Sequence, residues 1–166
     1  MKNKPKTIAF LGVCTALAMV LAYVEILLPP IFPSVPGIKM GLPNIIIVFL
    51  LYRYGPAFAA SVSLVRIVLV SMLFGNIMAL AYSLAGAVLS LLVMIILRRL
   101  KVLSTVGVSV TGAVAHNIGQ ILMAMLTLNT SELGYYLVVL IITGTIAGIL
   151  IGLCAAALIK RIPKNI

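Results

Sequence analysis

Aspartate is absent from this 166-residue chain, and its only acidic residues are Glu25 and Glu132. That absence removes the Ser-His-Asp arrangement of hydrolases. It also removes the carboxylate clusters that hold magnesium. There is one histidine, His116, and two cysteines, Cys14 and Cys154. Each cysteine lies within an apolar run, so neither a Cys/His metal set nor a disulfide spacing is present, and both read as packing residues. No G-x-x-x-x-G-K-[ST] phosphate loop occurs, so the chain does not bind and hydrolyse ATP in that familiar way. Charge of either sign is scarce, at 8% of residues, against about 25% in soluble domains. Together these gaps argue against an enzyme, and no cofactor or metal is expected.

What fills the chain is hydrocarbon: 64% of its residues are hydrophobic. Several apolar runs reach the roughly 20 residues that a helix needs to cross a bilayer. They are continuous rather than alternating, which selects helices over a β-barrel. The spans read as 7–28, 40–54, 56–74, 77–97, 105–128 and 135–159. The expected fold is therefore an all-α integral membrane protein: one domain over residues 1–166, a bundle of six transmembrane helices in a multi-pass cell membrane location. Residues 1–22 have a basic start and an "ALA" sequence, but their apolar run is longer than a signal core, so they read as a retained first helix.

The formal net charge is +10. Its basic residues cluster between apolar runs, the pattern of topology signals rather than of nucleic-acid binding. Contact with anionic lipid is a further expectation. Six crossings with the N-terminus inside put Lys2, Lys4, Lys6, Arg53, Arg98, Arg99, Lys101, Lys160, Arg161 and Lys164 on the cytoplasmic side, with only Lys39 outside. Omitting the short second segment would move Arg98, Arg99, Lys101 and the C-terminal cluster outside. The charge distribution thus favours six helices with both termini cytoplasmic. Fifteen residues in the second segment cover only about 22 Å at 1.5 Å each, so this helix should be shielded by its neighbours or sit in thinned bilayer. Between the first two spans, Pro29, Pro30, Pro33 and Pro36 dictate a stiff, extended loop.

Polar side chains deep in a bilayer are costly and face the bundle interior. On this topology they concentrate toward the outer half: His116, Asn117 and Gln120 from the middle of the fifth span outward, Arg66 near the middle of the third, Asn44 near the outer end of the second, and Glu25 near the outer end of the first. His116 and Gln120 are four residues apart and share a helix face, with Gly112 one turn below. These six residues are the candidate substrate-binding set, opening outward beneath the proline loop. Amides and a neutral imidazole both donate and accept hydrogen bonds, while Arg66 prefers an anion. The competing reading is interhelical bonding that only holds the bundle together. Glu25 could simply neutralise Arg66, and Asn44 and Asn76 could be helix caps.

Small residues recur every four positions at Gly144, Gly148, Gly152 and Ala156, at Ala18 and Ala22, and at Gly12 and Ala16. Such stripes let helices approach closely, either within the chain or at a partner helix. Ala18, Ala22, Gly144, Gly148 and Gly152 are the candidate partner-helix contacts.

The stretch "MGLPNIIIVFLLYRYGPAFAASVSLVRIVLVSMLFGN" followed by "AHNIGQ" resembles a small bacterial membrane family labelled Gx transporter or heptaprenyl diphosphate synthase component I. The elements that carry it are G-L-x-N at Gly41, Leu42 and Asn44, and H-N-x-x-Q at His116, Asn117 and Gln120. The resemblance covers residues 7–159. The family is in turn similar in architecture to the S components of energy-coupling factor (ECF) transporters. That similarity implies a six-helix subunit capturing a small substrate from outside, with a transmembrane coupling subunit and two ATPase subunits as partners. It also implies an Ala-x-x-x-Ala coupling motif in the first helix, matched by Ala18 and Ala22, with Gly12 and Ala16 as a competing register.

The expected function is a substrate-binding membrane subunit of an importer for a small anionic, prenyl-, quinone- or vitamin-like compound. One alternative is a noncatalytic membrane accessory subunit of a polyprenyl diphosphate synthase. The chain cannot supply the aspartate-rich magnesium site of such an enzyme itself. The other alternative is an autonomous secondary transporter.

Overall fold

The structure, a computed structural model, describes residues 4–27 and 41–162. Lys2, the proline-rich stretch 29–36, Lys39 and Lys164 lie outside the described residues. Among the described residues there are six α-helices: α1 (Lys4–Leu27), α2 (Asn44–Arg53), α3 (Pro56–Phe74), α4 (Ile77–Leu100), α5 (Thr105–Leu128) and α6 (Leu137–Arg161). A 3-10 turn, Glu132–Tyr136, leads into α6.

Local chemistry sets the boundaries. Gly55 adopts φ +106, a conformation that L side chains rarely reach, and Pro56 follows at the first helical position. The Gly-Pro pair thereby ends one helix and starts the next. The side chains of Asn76 and Ser104 cap α4 and α5 by accepting from the amides of Ala79 (2.8 Å) and Gly107 (3.2 Å). Lys101 and Asn129 close the same two helices in the left-handed conformation.

Five segments are long and apolar enough to cross a membrane: Pro5–Leu27, Pro56–Phe74, Ile77–Leu100, Thr105–Leu128 and Glu132–Arg161. Large apolar side chains such as Ile8, Leu126 and Ile142 are exposed on their outer faces, which suits hydrocarbon rather than water. The protein is a multi-pass, all-α membrane protein.

The second segment is shorter than its apolar run. α2 has 10 residues, about 15 Å of helix, half of the roughly 30 Å hydrocarbon core. Ile46, Ile47, Val48, Phe49, Leu50 and Leu51 are all buried. A helix that is apolar all round belongs inside, and α2 is enclosed by α1, α3 and α6. At its C-terminal end, Arg53 donates to the Ile162 carbonyl from Nε (3.1 Å) and Nη2 (2.6 Å). Nearby, Arg98 donates to the Tyr52 carbonyl at 3.2 Å, its guanidinium 5.5 Å from the Tyr52 ring centre. These contacts bring the C-terminal ends of α2, α4 and α6 together at one basic end.

α5 lies between α4 and α6, and the two packings are the tightest in the bundle. Small residues explain the closeness. A Cβ on Gly148 would sit 2.6 Å from the Val110 Cα, and one on Gly152 2.8 Å from the Val106 Cα. On the other side of α5, a Cβ on Gly119 would meet the Ala85 carbonyl at 2.7 Å. The stripe Gly144, Gly148, Gly152 therefore serves contact within the chain. Ala18 and Ala22 are buried in the chain as well, Ala18 completely. Gly12 and Ala16 lie on the exposed part of α1. Helix α1 is apolar nearly all round, so its sequence does not announce which stripe turns inward.

Candidate functional site

A G-L-P-N turn precedes α2. Gly41 takes φ +76, which favours glycine, and its carbonyl accepts from the Asn44 amide at 2.8 Å. The Gly41 N–H donates to Oε1 of Glu25, near the end of α1. The turn thus locks the end of α1 to the start of α2. No side chain caps α2, whose N-cap position is Pro43. The Asn44 side chain instead lines a cavity.

That cavity has a volume of about 60 Å³ and lies at the end of the bundle opposite the basic one. Glu25 reaches it from α1, Asn44 from α2, Arg66 and Ser71 from α3, Ser83 from α4, and His116 and Gln120 from α5. Five helices converge on it, and five of the six sequence-predicted residues border it. The sixth, Asn117, turns toward α6. Its Nδ2 donates to the Leu140 carbonyl at 2.8 Å, and it borders a separate space of about 20 Å³ with Asn44, His116 and Gly144. A Cβ on Gly144 would come 2.7 Å from that Nδ2, so the glycine makes room for the interhelical bond.

Arg66 decides the electrostatics. It lies midway along α3, and its Nε is completely buried. Among the described residues, Nε is the one buried side-chain polar atom without a hydrogen-bond partner. Glu25 borders the same cavity and acts on Arg66 electrostatically. The cavity thus holds one cation and one anion, and the anion is already engaged by the Gly41 amide. A guanidinium has five N–H donors and no acceptor. With the amides of Asn44 and Gln120 and the hydroxyls of Ser71 and Ser83, the walls are rich in donors. Such a site suits a small headgroup rich in acceptors, because hydrogen bonds to ionised groups are the strong ones.

Residues 14–158 match the family described as heptaprenyl diphosphate synthase component I. The chain belongs to this family. The matched region runs from α1 to α6 and includes every residue lining the cavity. No match was found among curated proteins or among solved structures. In this chain, Gly41 and Asn44 of the G-L-x-N element and His116 and Gln120 of the H-N-x-x-Q element come from distant sequence positions and meet at one cavity.

Sequence reasoning missed several residues that shape the site. A Cβ on Gly86 would come within 2.8 Å of the His116 carbonyl and the Gln120 Cγ. Gly86 therefore sets how closely α4 approaches the histidine face of α5. Ser71 and Ser83 add hydroxyls, and Ala22 lines the cavity as well. No spacing marked Ser71, because five residues after Arg66 is not the three or four that share a helix face.

Proposed function

We propose that the protein is a ligand-binding membrane subunit, S-component-like in architecture, with both termini cytoplasmic. On this reading the cavity opens to the outside and takes a small, acceptor-rich headgroup. The supporting observation is the convergence of Arg66, Glu25, Asn44, His116 and Gln120 at the end of the bundle that lacks the basic clusters. Arg66 and Gln120 supply donors, Glu25 holds the guanidinium, and Asn44 and His116 select polar shape. Asn117 acts through structure, tying α5 to α6. Transport energy would come from a transmembrane coupling subunit and two ATPase subunits. The part of α1 left for a coupling subunit carries Gly12 and Ala16.

The family description favours a second reading, a noncatalytic membrane subunit of a prenyl diphosphate synthase. The soluble, aspartate-rich chain would then do the chemistry. Affinity purification from native membranes separates the two. Recovery of ATPase and coupling subunits supports import, and recovery of a soluble synthase supports the second reading. For the site itself, small molecules carried through purification are identified by mass spectrometry. A compound present with the wild type and missing from a folded His116→Ala, Arg66→Gln variant supports the site. Equal retention by both proteins rejects it.

A further inference from the structure

The polar cavity is small. Ordinary ligand sites run from about 300 to 1,000 Å³, and this one has about 60 Å³. A second, larger space lies beside it. Between α3 and α4 a groove of about 320 Å³ has almost wholly apolar walls. Its floor is Ser63, Ile67 and Ala87, all buried, and its rim includes Ala60, Leu64 and Val88, all exposed on the outside of the bundle. Ile67 lines both spaces, and Ser83 of the cavity adjoins Leu84 of the groove. Along α3 the cavity takes residues 66–74 and the groove residues 60–67. The groove therefore adjoins the cavity, with Ile67 between the two, lies near the middle of α3 and α4, and opens sideways, where lipid chains lie.

We infer that the ligand is a single-chain anionic amphiphile that enters laterally from the bilayer. Its oxyanion head binds beside Arg66, and its hydrocarbon chain lies in the α3–α4 groove over Ile67. This rests on the reading of the cavity as a ligand site. Charge complementarity names the head: the buried Arg66 Nε has no partner, and an oxyanion supplies acceptors in number. The groove's single slot between two helices names the tail. Burial of the chain there adds little net attraction, because bilayer hydrocarbon is equally apolar. The groove instead sets where the chain lies, and the head supplies selectivity over bulk lipid.

The test is photo-crosslinking of the full chain in phosphatidylcholine nanodiscs. The probe is dodecyl phosphate with a diazirine on its chain. Diazirine-labelled dodecanol and diazirine-labelled phosphatidylcholine are the controls. The expected result is saturable labelling at Leu64, Leu84 or Val88 by the phosphate probe alone. Arg66→Gln should weaken it about tenfold or more, as loss of a charge-assisted bond does. Ala87→Phe should displace the label from the groove. Because phenylalanine at that buried position can disturb the helix packing, Ala60→Leu on the exposed rim is the second variant, with the same expected displacement. Saturable labelling confined to cavity residues and indifferent to Ala60→Leu would overturn the tail assignment and leave the head site standing. Equal labelling by all three probes, unchanged in Arg66→Gln, would overturn both.

Discussion

A guanidinium midway along a bilayer-length helix has to be compensated, and Arg66 has one charged partner in Glu25. Removing one of two interacting charges leaves the other uncompensated, at a cost of about 3–5 kcal/mol for a fully buried pair and less for half-buried residues such as these, whereas removing both together costs far less. Arg66→Gln is therefore expected to lower stability by about 1–3 kcal/mol, and adding Glu25→Gln to recover most of the loss. Unfolding of the purified protein in mixed micelles measures all three variants. Two additive single losses would show that the residues do not act as a pair. Asn117 presents a smaller stake. Interhelical hydrogen bonds in membranes average about 0.6 kcal/mol and reach about 1.7. Asn117→Ala is thus expected to cost about 1 kcal/mol or less while ligand binding persists. A complete loss of binding in a folded Asn117→Ala protein would move that residue into the site. The polar residues were legible from sequence because any amide or charge in an apolar span needs a reason. Their partners were not: whether Asn117 meets a ligand or the Leu140 carbonyl depends on the register between α5 and α6, which no local pattern encodes.

At the scale of the helices, the positions of the long spans followed from hydropathy and from the Gly-Pro break at Gly55 and Pro56. The faces did not. α1 carries two small-residue stripes and is apolar nearly all round, so only the finished packing shows that Ala18 and Ala22 turn inward. The glycines differ in the same hidden way. An alanine at Gly148 would press its Cβ to 2.6 Å from the Val110 Cα, which is backbone and cannot yield. At Gly112 the nearest atoms are the Met94 Cγ and Sδ, also at 2.6 Å, but these belong to a flexible side chain. At Gly12 nothing lies within 4 Å. Gly148→Ala is therefore expected to destabilise by about 1–3 kcal/mol, Gly112→Ala by less, and Gly12→Ala hardly at all. Thermal unfolding in one detergent ranks them. A Gly148→Ala protein as stable as wild type would mean that α5 and α6 are not so closely packed.

For the whole molecule the decisive quantity is orientation, because it says which side of the membrane the cavity serves. Lys6, Arg53, Arg98, Arg99, Lys101, Lys160 and Arg161 occur at helix ends. The contacts of Arg53 with Ile162 and of Arg98 with Tyr52 gather three of those ends at one pole. The cavity lies at the other. Under the charge bias that sets membrane topology, the basic pole is expected on the cytoplasmic side. Two exposed sites report the poles: Val102 between α4 and α5, and Tyr135 in the turn before α6. With exposed Cys154 replaced by serine and buried Cys14 retained, Tyr135→Cys should react with a membrane-impermeant maleimide in intact cells. Val102→Cys should react only after permeabilisation. The reverse pattern would place the cavity on the cytoplasmic side. Capture from outside would then fail as a function, while the synthase-subunit reading would gain.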